Sequence, residues 1–350
     1  MRHSIRKSAL VAVSAVAALG LAACGNSGSD ASAKGTEGGG ESGGSSDISV
    51  AFVPKIQGIP FFEAMNSGGQ DAAKEFGFTW VYQGATTADA SAQAEVVRAL
   101  IQQGVQALAV APNDPDSMAP VIADAADAGI IPFTADTDAP NSERQFFVQQ
   151  ASNEGIGSAL IDQLAEATGG KGEFAIVSCG RTASNLNAWI DVINDRVASE
   201  YPDMTIVDTV YADEDQAKAV TMAKDLMNAH PNLVGLIGPC TTAAPGIAQA
   251  VDEAGKIGQI STVGVGTPQA MLPYLESGAS SASVLWNVED HGYLTGWAGW
   301  MAAKGEEFPS DGKPFDVGRI KGVTWDAESK VLLMGDPLIL TADNAGDFDY

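Results

Sequence analysis

Histidine, cysteine and basic residues are scarce in this sequence. Its 350 residues contain three histidines, three cysteines and 19 lysines and arginines. No two of the histidines, His3, His230 and His291, share a spacing suited to a metal ion, which argues against zinc catalysis. Neither a P-loop nor a complete G-x-G-x-x-G motif is present, because GVGTPQ at 264–269 ends after its second glycine. We predict a protein that is not an enzyme and that uses no cofactor and no metal.

The shortage of basic residues also limits the partners of the chain. The 19 lysines and arginines stand against 44 aspartates and glutamates, and the formal net charge is −25. Such a surface repels a phosphate backbone, so nucleic acid is not an expected partner. With 350 residues, of which 45% are hydrophobic, the chain can bury two cores of ordinary size, and we expect two lobes.

The first two dozen residues have the organisation of a secretory signal. Three basic residues precede an apolar stretch that is too short and too rich in alanine for a membrane span. The stretch ends in LAACG at 21–25, which resembles the bacterial lipobox. We expect residues 1–23 to be removed and Cys24 to be lipidated, with an ordinary export signal as the alternative. Residues 24–47 are then a lipidated, flexible tether that anchors the folded part to the cell membrane, outside the cytoplasm.

From residue 48 onward, apolar runs alternate with helical patterns. The runs, such as ISVAFVP at 48–54, are continuous rather than alternating, which is typical of a parallel sheet covered on both faces. We predict an α/β fold with two doubly wound parallel-sheet lobes joined by a hinge. The predicted N-terminal lobe comprises residues 48–150 and about 288–320. The C-terminal lobe comprises residues 151–287 and part of the 321–350 tail.

Polar residues at the carboxyl ends of the predicted strands are candidates for a binding site, because open parallel sheets bind ligands there. Lys55 follows the first strand, and Asp136 and Asp138 follow the fourth. A lone lysine is more often a surface residue, and only one of two alternating aspartates is expected to face a cleft. Cys179 and Cys240 end two strands that are neighbours in the strand order 2-1-3-4, which leaves open a disulfide between them.

VPKIQGIPFF at 53–62 has the pattern P-K-x-x-G-x-x-F-F and is similar to the opening of the rhamnose and autoinducer-2 binding proteins, which are lipoproteins of ABC importers. TADTD at 134–138, AHPNLVGLIGP at 229–239 and VLWNV at 284–288 are similar as well, and the resemblance runs from about residue 50 to the end. It implies the fold of a type I periplasmic binding protein. It also implies a monomer that closes on its ligand at the hinge and delivers it to permease subunits in the membrane.

The resemblance further implies a set of ligand contacts: Lys55, Asp136, the Asn185 and Leu186 positions, Pro239 and Thr241. Where the autoinducer-2 binders have Asp-Gln, this chain has Asn185-Leu186, and Ala135 replaces a tryptophan. Such replacements remove hydrogen-bonding groups that autoinducer-2 would need. We therefore expect a sugar or polyol ligand, such as a rhamnose-like deoxyhexose or a pentose. Autoinducer-2 uptake and a role as a sugar-sensing co-receptor are the alternatives.

Further side chains complete the predicted pocket. Phe61, Phe62 and Trp286 are candidates to cover the apolar faces of a sugar, or are core residues. Gln150 and Asn287 fall at the predicted lobe crossings, where they line the cleft or fix the hinge. A lysine donor, an aspartate acceptor and an asparagine that can do both match the paired hydroxyls of a neutral polyol. A sugar-responsive repressor would share the two lobes, but it needs a basic face for DNA.

Overall fold

The computed structural model describes residues 48–350. The predicted signal peptide, the lipidation site at Cys24 and the tether up to residue 47 lie outside the described residues. Within the described part, no helix has both the length and the apolar character that crossing a membrane requires.

Strands and helices alternate along the described part of the chain. The strands are β1 (Ser49–Val53), β2 (Thr79–Tyr82), β3 (Ala107–Val110), β4 (Ile131–Ala135), β5 (Phe147–Ala151), β6 (Gly172–Ser178), β7 (Met204–Tyr211), β8 (Leu233–Gly238), β9 (Ser261–Gly264), β10 (Ala282–Leu285), β11 (Phe315–Val317), β12 (Ile320–Asp326), β13 (Val331–Gly335) and β14 (Leu338–Leu340). The helices are α1 (Pro60–Phe76), α2 (Ala90–Gln103), α3 (Pro115–Asp127), α4 (Asn153–Thr168), α5 (Ser184–Glu200), α6 (Gln216–Ala229), α7 (Ala243–Glu253), α8 (Pro268–Ser277) and α9 (Val288–Ala303).

The strands form two sheets, one in each lobe. The first sheet has the order β11-β12-β13-β5-β4-β3-β1-β2, and the second has the order β14-β10-β9-β8-β6-β7. All pairings are parallel except those of β11 with β12, β12 with β13 and β10 with β14, which lie at or near one edge of each sheet. Each lobe therefore contains the doubly wound order 2-1-3-4, and the predicted α/β fold with two parallel-sheet lobes is confirmed.

Local sequence explains how the strands end and the helices begin. The central strand β1 is buried on both faces, since Val50 to Val53 are fully buried, and this accounts for its continuous apolar sequence. Polar side chains then cap the helices that follow the strands: Asp89 accepts a hydrogen bond from Ala92 N, and Asp215 accepts one from Lys218 N. The polar groups of the cleft therefore lie on the short loops between the strand ends and the N-caps of the helices.

Helix α9 brings the chain back to the first lobe by packing closely on α1. Gly68 of α1 and Gly292 of α9 face each other's helix backbone, because a Cβ at Gly68 would collide with Glu289 O and one at Gly292 with Met65 O. Glycine at both positions lets the two helix backbones touch. This contact covers one face of the first sheet and fixes where the polypeptide following β10 re-enters the lobe.

The chain passes between the lobes three times, after β5, after β10 and after β13. The predicted boundary at residue 150 falls inside β5, which ends at Ala151. The predicted boundary at 320 also requires correction, because β12 and β13 continue the first sheet and β13 pairs in parallel with β5. The tail reaches the second sheet only at β14, which pairs with β10.

Candidate functional site

A pocket of about 340 Å³ lies between the lobes, at the carboxyl ends of the strands of both sheets. Nine residues predicted for ligand binding line it: Lys55, Phe61, Phe62, Asp136, Asn185, Leu186, Pro239, Thr241 and Trp286. The other lining residues are Ile59, Trp189, Glu214, Cys240 and Val265.

Lys55 is the polar centre of the pocket. It follows β1, and only 4% of its surface is exposed. Its Nζ donates a hydrogen bond to Asn185 Oδ1 at 3.0 Å and lies 3.3 Å from Asp136 Oδ2. Asp136 follows β4 in the first lobe, whereas Asn185 is in the first turn of α5 in the second lobe. The ammonium group therefore connects the two lobes, and the surface position expected for a lone lysine does not apply.

Asp136 is held in a backbone conformation that is unfavourable for a residue with a side chain. Its φ is 66°, in the left-handed region, which costs on the order of 1–2 kcal/mol. Thr137 Oγ1 donates a hydrogen bond to Asp136 Oδ2 at 2.9 Å, so one carboxylate oxygen has two partners while Oδ1 has none among the described residues. Strain of this kind is common at functional sites, where it places a side chain that the regular strand could not.

Aromatic side chains from both lobes form the apolar wall of the pocket. Phe61 contacts Trp286 edge to face, with ring centroids 5.7 Å apart, and Trp189 contacts the same indole at 6.0 Å. Phe61 also packs at 4.9 Å against Phe62, its neighbour at the start of α1. The Nε1 of Trp189 donates to Asn153 Oδ1 at 3.0 Å, whereas the buried Nε1 of Trp286 has no hydrogen-bond partner among residues 48–350.

A disulfide joins Cys179 and Cys240, with a Cα–Cα distance of 6.2 Å. These residues follow the adjacent strands β6 and β8, so the bond ties together the loops that carry Asn185 and Thr241. A carboxylate oxygen of Glu214 and both sulfurs lie within 4.8 Å of one another, and these are residue types that bind metals. Because the sulfurs are bonded to each other they cannot act as thiolate ligands, so this cluster does not fit a metal ion.

Glu214 is a pocket residue that the sequence reasoning missed. The acidic run at 213–216 predicts a helix cap, and Asp215 does cap α6. Glu214, one residue earlier, instead lines the pocket. Burial raises the pKa of its carboxyl; Lys55 opposes this shift, and Asp136 adds to it. The one available signal was position, because Glu214 follows the end of β7 closely, as Lys55 follows β1.

Three of the predicted ligand residues do not line the pocket. Asp138 accepts hydrogen bonds from Thr134 Oγ1 at 2.7 Å and Arg144 Nη2 at 2.8 Å, so its charge is neutralised within the first lobe. The Asn287 side chain accepts a hydrogen bond from Asp290 N at 3.0 Å and caps α9, at the point where the chain passes from β10 back to the first lobe. Gln150 lies on β5, is 2% exposed and is buried beside the lobe crossing. These geometries favour structural roles for Asp138 and Asn287, whereas the buried Oε1 of Gln150 has no hydrogen-bond partner among residues 48–350.

Other hydrogen bonds also cross the cleft. Thr182 Oγ1, in the second lobe, donates to Asn113 O at 3.0 Å, and Ser184 Oγ donates to Asp138 O at 2.9 Å. Together with the Lys55–Asn185 bond they hold the lobes against each other. The pocket thus combines one ammonium group, two carboxyl groups, one amide and an aromatic wall. This set can bind hydroxyl groups and apolar ring faces, and among the described residues that line the pocket no nucleophile is paired with a base.

Comparison with known proteins shows the family. A model described as the periplasmic binding protein domain matches residues 50–307. The D-ribose/D-allose-binding protein of Pseudomonas aeruginosa is 30% identical over 244 residues, covering 65% of this chain and 74% of that protein. The xylitol-binding protein of Mycolicibacterium smegmatis is 27% identical over 276 residues, covering 78% of this chain and 73% of that protein.

Solved structures agree with this assignment. LsrB from Clostridium saccharobutylicum in complex with AI-2 matches with a TM-score of 0.81 at 25% identity, over 87% of this chain and 100% of that chain. An ABC transporter solute-binding protein from Clostridium phytofermentas with bound L-rhamnose matches with a TM-score of 0.80 at 25% identity, over 86% of this chain and 98% of that chain. These relatives are binding proteins rather than enzymes, as the sequence predicted. Since the family model spans well over half of its length, the chain belongs to the periplasmic binding protein domain family.

Proposed function

We propose that this protein captures a sugar or polyol between its lobes, outside the cytoplasm, and delivers it to the permease of an ABC importer. The observation that carries the proposal is the pocket itself, in which Lys55, Asp136 and Asn185 meet opposite an aromatic wall. The relatives support it, because their names describe ribose, allose, xylitol and rhamnose as ligands.

A neutral ligand with several hydroxyl groups matches the hydrogen-bonding groups of the pocket. Asp136 Oδ1 can accept a hydrogen bond, and the amide nitrogen of Asn185 and Nε1 of Trp286 can donate one. Hydrogen bonds to charged groups contribute roughly 1.5–3 kcal/mol each. A micromolar dissociation constant corresponds to about 8 kcal/mol, so three or four such contacts together with ring stacking are enough.

A sugar or polyol suits this pocket better than autoinducer-2. Leu186 lines the pocket and offers no hydrogen bond where the autoinducer-2 binders have glutamine. Asn185 replaces their aspartate, and its side-chain oxygen already accepts from Lys55. A small, densely hydroxylated ligand would lose partners at both positions.

We infer that the ligand drives closure of the cleft. The Lys55–Asn185 and Thr182–Asn113 hydrogen bonds cross from one lobe to the other, so they exist only when the lobes are together. A ligand that contacts both lobes binds the closed form more tightly and shifts the population toward it. The permease would then recognise the closed form. Lipidation of Cys24 would keep the binding protein near it, and incorporation of a radiolabelled fatty acid that is lost in Cys24→Ser tests this anchor.

A thermal-shift screen of the purified protein tests the proposed ligand class. The probes are L-rhamnose, D-ribose, D-allose, D-xylose, xylitol and autoinducer-2. A ligand that binds only the native state raises the melting temperature, by an amount that grows with its concentration. We expect a saturable rise with at least one neutral sugar or polyol, and a smaller radius of gyration in solution scattering with that probe. No shift with any of them would refute the proposal, and a shift with autoinducer-2 alone would favour quorum-signal uptake.

Uptake measurements separate transport from sensing. Deletion of the gene should abolish accumulation of the labelled sugar if the protein serves a permease. Normal uptake combined with loss of a sugar-dependent transcriptional response would favour the co-receptor role instead.

A further inference from the structure

Glu214 lies where the pocket meets a second cavity, which we call the outer cleft. Lys55 and Glu214 both line the pocket and also line this outer cleft of about 660 Å³. The outer cleft is formed by both lobes, including Asp89 and Asp114 of the first and Arg181 of the second. Lys55 and Glu214 therefore lie where the two cavities meet.

The protein itself makes little use of the Glu214 carboxyl group. Thr242 Oγ1 donates to Oε2 at 3.4 Å, a long distance for a hydrogen bond between oxygens, and this is the one hydrogen bond of the Glu214 side chain within residues 48–350. An ionised carboxylate can accept about four hydrogen bonds. Partial burial raises the pKa of Glu214, whose side chain is still partly exposed to the two cavities that it lines. Most of its accepting capacity is thus open to a ligand.

The backbone at Glu214 is strained in the same way as at Asp136. Asp213 and Glu214 have φ values of 55° and 58°, two successive left-handed residues that both carry side chains. Among the described residues only Asp136 and Lys330 share this feature outside glycine. Two of these four strained residues, Asp136 and Glu214, therefore carry the two carboxyl groups of the pocket. Each follows the end of a strand, and each belongs to a different lobe. Strain that recurs at a ligand-facing position indicates function more than chance.

We propose that Glu214 is a specificity-determining residue of the second lobe, which accepts a hydrogen bond from a neutral polyol and repels ligands that carry a carboxylate or phosphate. This inference rests on the proposed function and deepens it by naming the ligand class. The only ammonium group of the pocket, on Lys55, already contacts Asp136 and Asn185. An acidic ligand would thus meet two carboxyl groups and one occupied cation, whereas a polyol can donate hydroxyl groups to both acids.

Matched ligand pairs test this proposal: xylitol with D-xylonate, D-ribose with D-ribonate and L-rhamnose with L-rhamnonate. Titration calorimetry is carried out at several pH values, because burial raises the pKa of Glu214 and the repulsion of an acid requires its ionised carboxylate. Wild type should bind the neutral member of at least one pair and reject the acid. In Glu214→Gln the affinity for the neutral probe should fall about tenfold, which is about 1.4 kcal/mol. The ratio of the affinity for the neutral probe to the affinity for its acid should fall by a similar factor. Glu214→Ala should lose more affinity, because it also removes the accepting oxygen.

Asp213→Asn is the matched control, since it removes one carboxylate from the same turn. Asp213 lines the outer cleft but not the pocket, and it is exposed and forms a surface ion pair with Lys218, so neither affinity nor selectivity should change by more than about twofold. A merely structural role for Glu214 would lower the melting temperature without narrowing the selectivity. Equal affinity and equal selectivity in wild type and Glu214→Gln would overturn the inference while leaving the proposed function intact. Failure of every neutral probe to bind wild type would overturn both.

Discussion

Replacing Lys55 by methionine separates its structural role from its role in binding, because the change keeps the length of the side chain and removes its charge. Lys55 and Asp136 are 4% and 3% exposed, and their charged groups are 3.3 Å apart. Removing one partner of a buried pair leaves the other charge uncompensated, at about 3–5 kcal/mol. For a chain of this size we expect the melting temperature of the free protein to fall by roughly 6–10 °C. Loss of a charged hydrogen bond to the ligand should weaken binding about tenfold to a hundredfold.

The double variant Lys55→Met/Asp136→Asn distinguishes the two effects. Once neither charge is present, the penalty for an unpaired buried carboxylate disappears, so most of the lost stability should return. Affinity should remain low, because the donor to the ligand is still missing. Thermal unfolding without ligand and titration calorimetry with the sugar that gives the largest thermal shift measure the two quantities independently.

Lys218→Met provides the control for Lys55→Met. Lys218 forms an exposed ion pair with Asp213, so its replacement should change stability by less than about 1 kcal/mol and leave binding unaffected. The reasoning is refuted if Lys55→Met binds the sugar as tightly as wild type does. Lys55 would then be a partner for Asp136 and Asn185 alone, and the donors for the ligand would have to be sought elsewhere in the pocket.

Other parts of the site give further predictions. The double variant Cys179→Ser/Cys240→Ser should lower the free energy of unfolding by about 4 kcal/mol, because the disulfide joins residues that are 61 positions apart in the chain. Denaturant titration measures this change, and an unchanged midpoint would contradict the prediction. Burial lowers the pKa of His291, so the unfolded chain takes up a proton below about pH 6.5 that the folded chain does not. Stability should therefore fall as the pH drops below that value, by at most about 1.4 kcal/mol per pH unit, and His291→Gln should reduce this slope in unfolding measured across the pH range. Trp286→Phe should weaken sugar binding about tenfold if the unpaired Nε1 donates to the ligand, and calorimetry showing full affinity would leave stacking as its sole contribution.

The fold could be predicted from the sequence because its signals are periodic and repeated. Continuous apolar runs such as Val50 to Val53 are typical of strands that are buried on both faces, and their alternation with helical segments favours parallel pairing. The tail could not be placed in this way. The segments Ile320–Asp326 and Val331–Gly335 have ordinary strand patterns, and nothing in a strand pattern says which sheet edge is free. Here β13 joins the first sheet because β5 presents its open edge there.

Lys55 and Asp136 illustrate what strand ends can reveal about a site. Each is a polar residue directly after a buried strand, and β1 and β4 are separated only by β3 in the sheet, so proximity follows from topology. The sequence alone could not show whether Asp136 or Asp138 lines the pocket. Both follow β4, and the decision depends on Arg144, which neutralises Asp138 from the loop before β5, and on the left-handed turn at Asp136. Neither the contact between Asp138 and Arg144 nor the strained φ of Asp136 produces a pattern in the neighbouring sequence that could be recognised.

Glu214 shows the converse limit, in which a correct local interpretation hides a residue that lines the pocket. The run Asp213-Glu214-Asp215 predicts a helix cap, and Asp215 provides one. A capping motif, however, needs only one acidic residue. The left-handed turn at Asp213 and Glu214 places the other two carboxyl groups in different surroundings: that of Asp213 is exposed beside Lys218, and that of Glu214 lies in the pocket. In a chain with 44 acidic residues, identity says little about which carboxylate matters. The surroundings of each carboxyl group separate them, because Glu214 is partly buried in the pocket and has one side-chain hydrogen bond within residues 48–350, which leaves its oxygens available to another molecule.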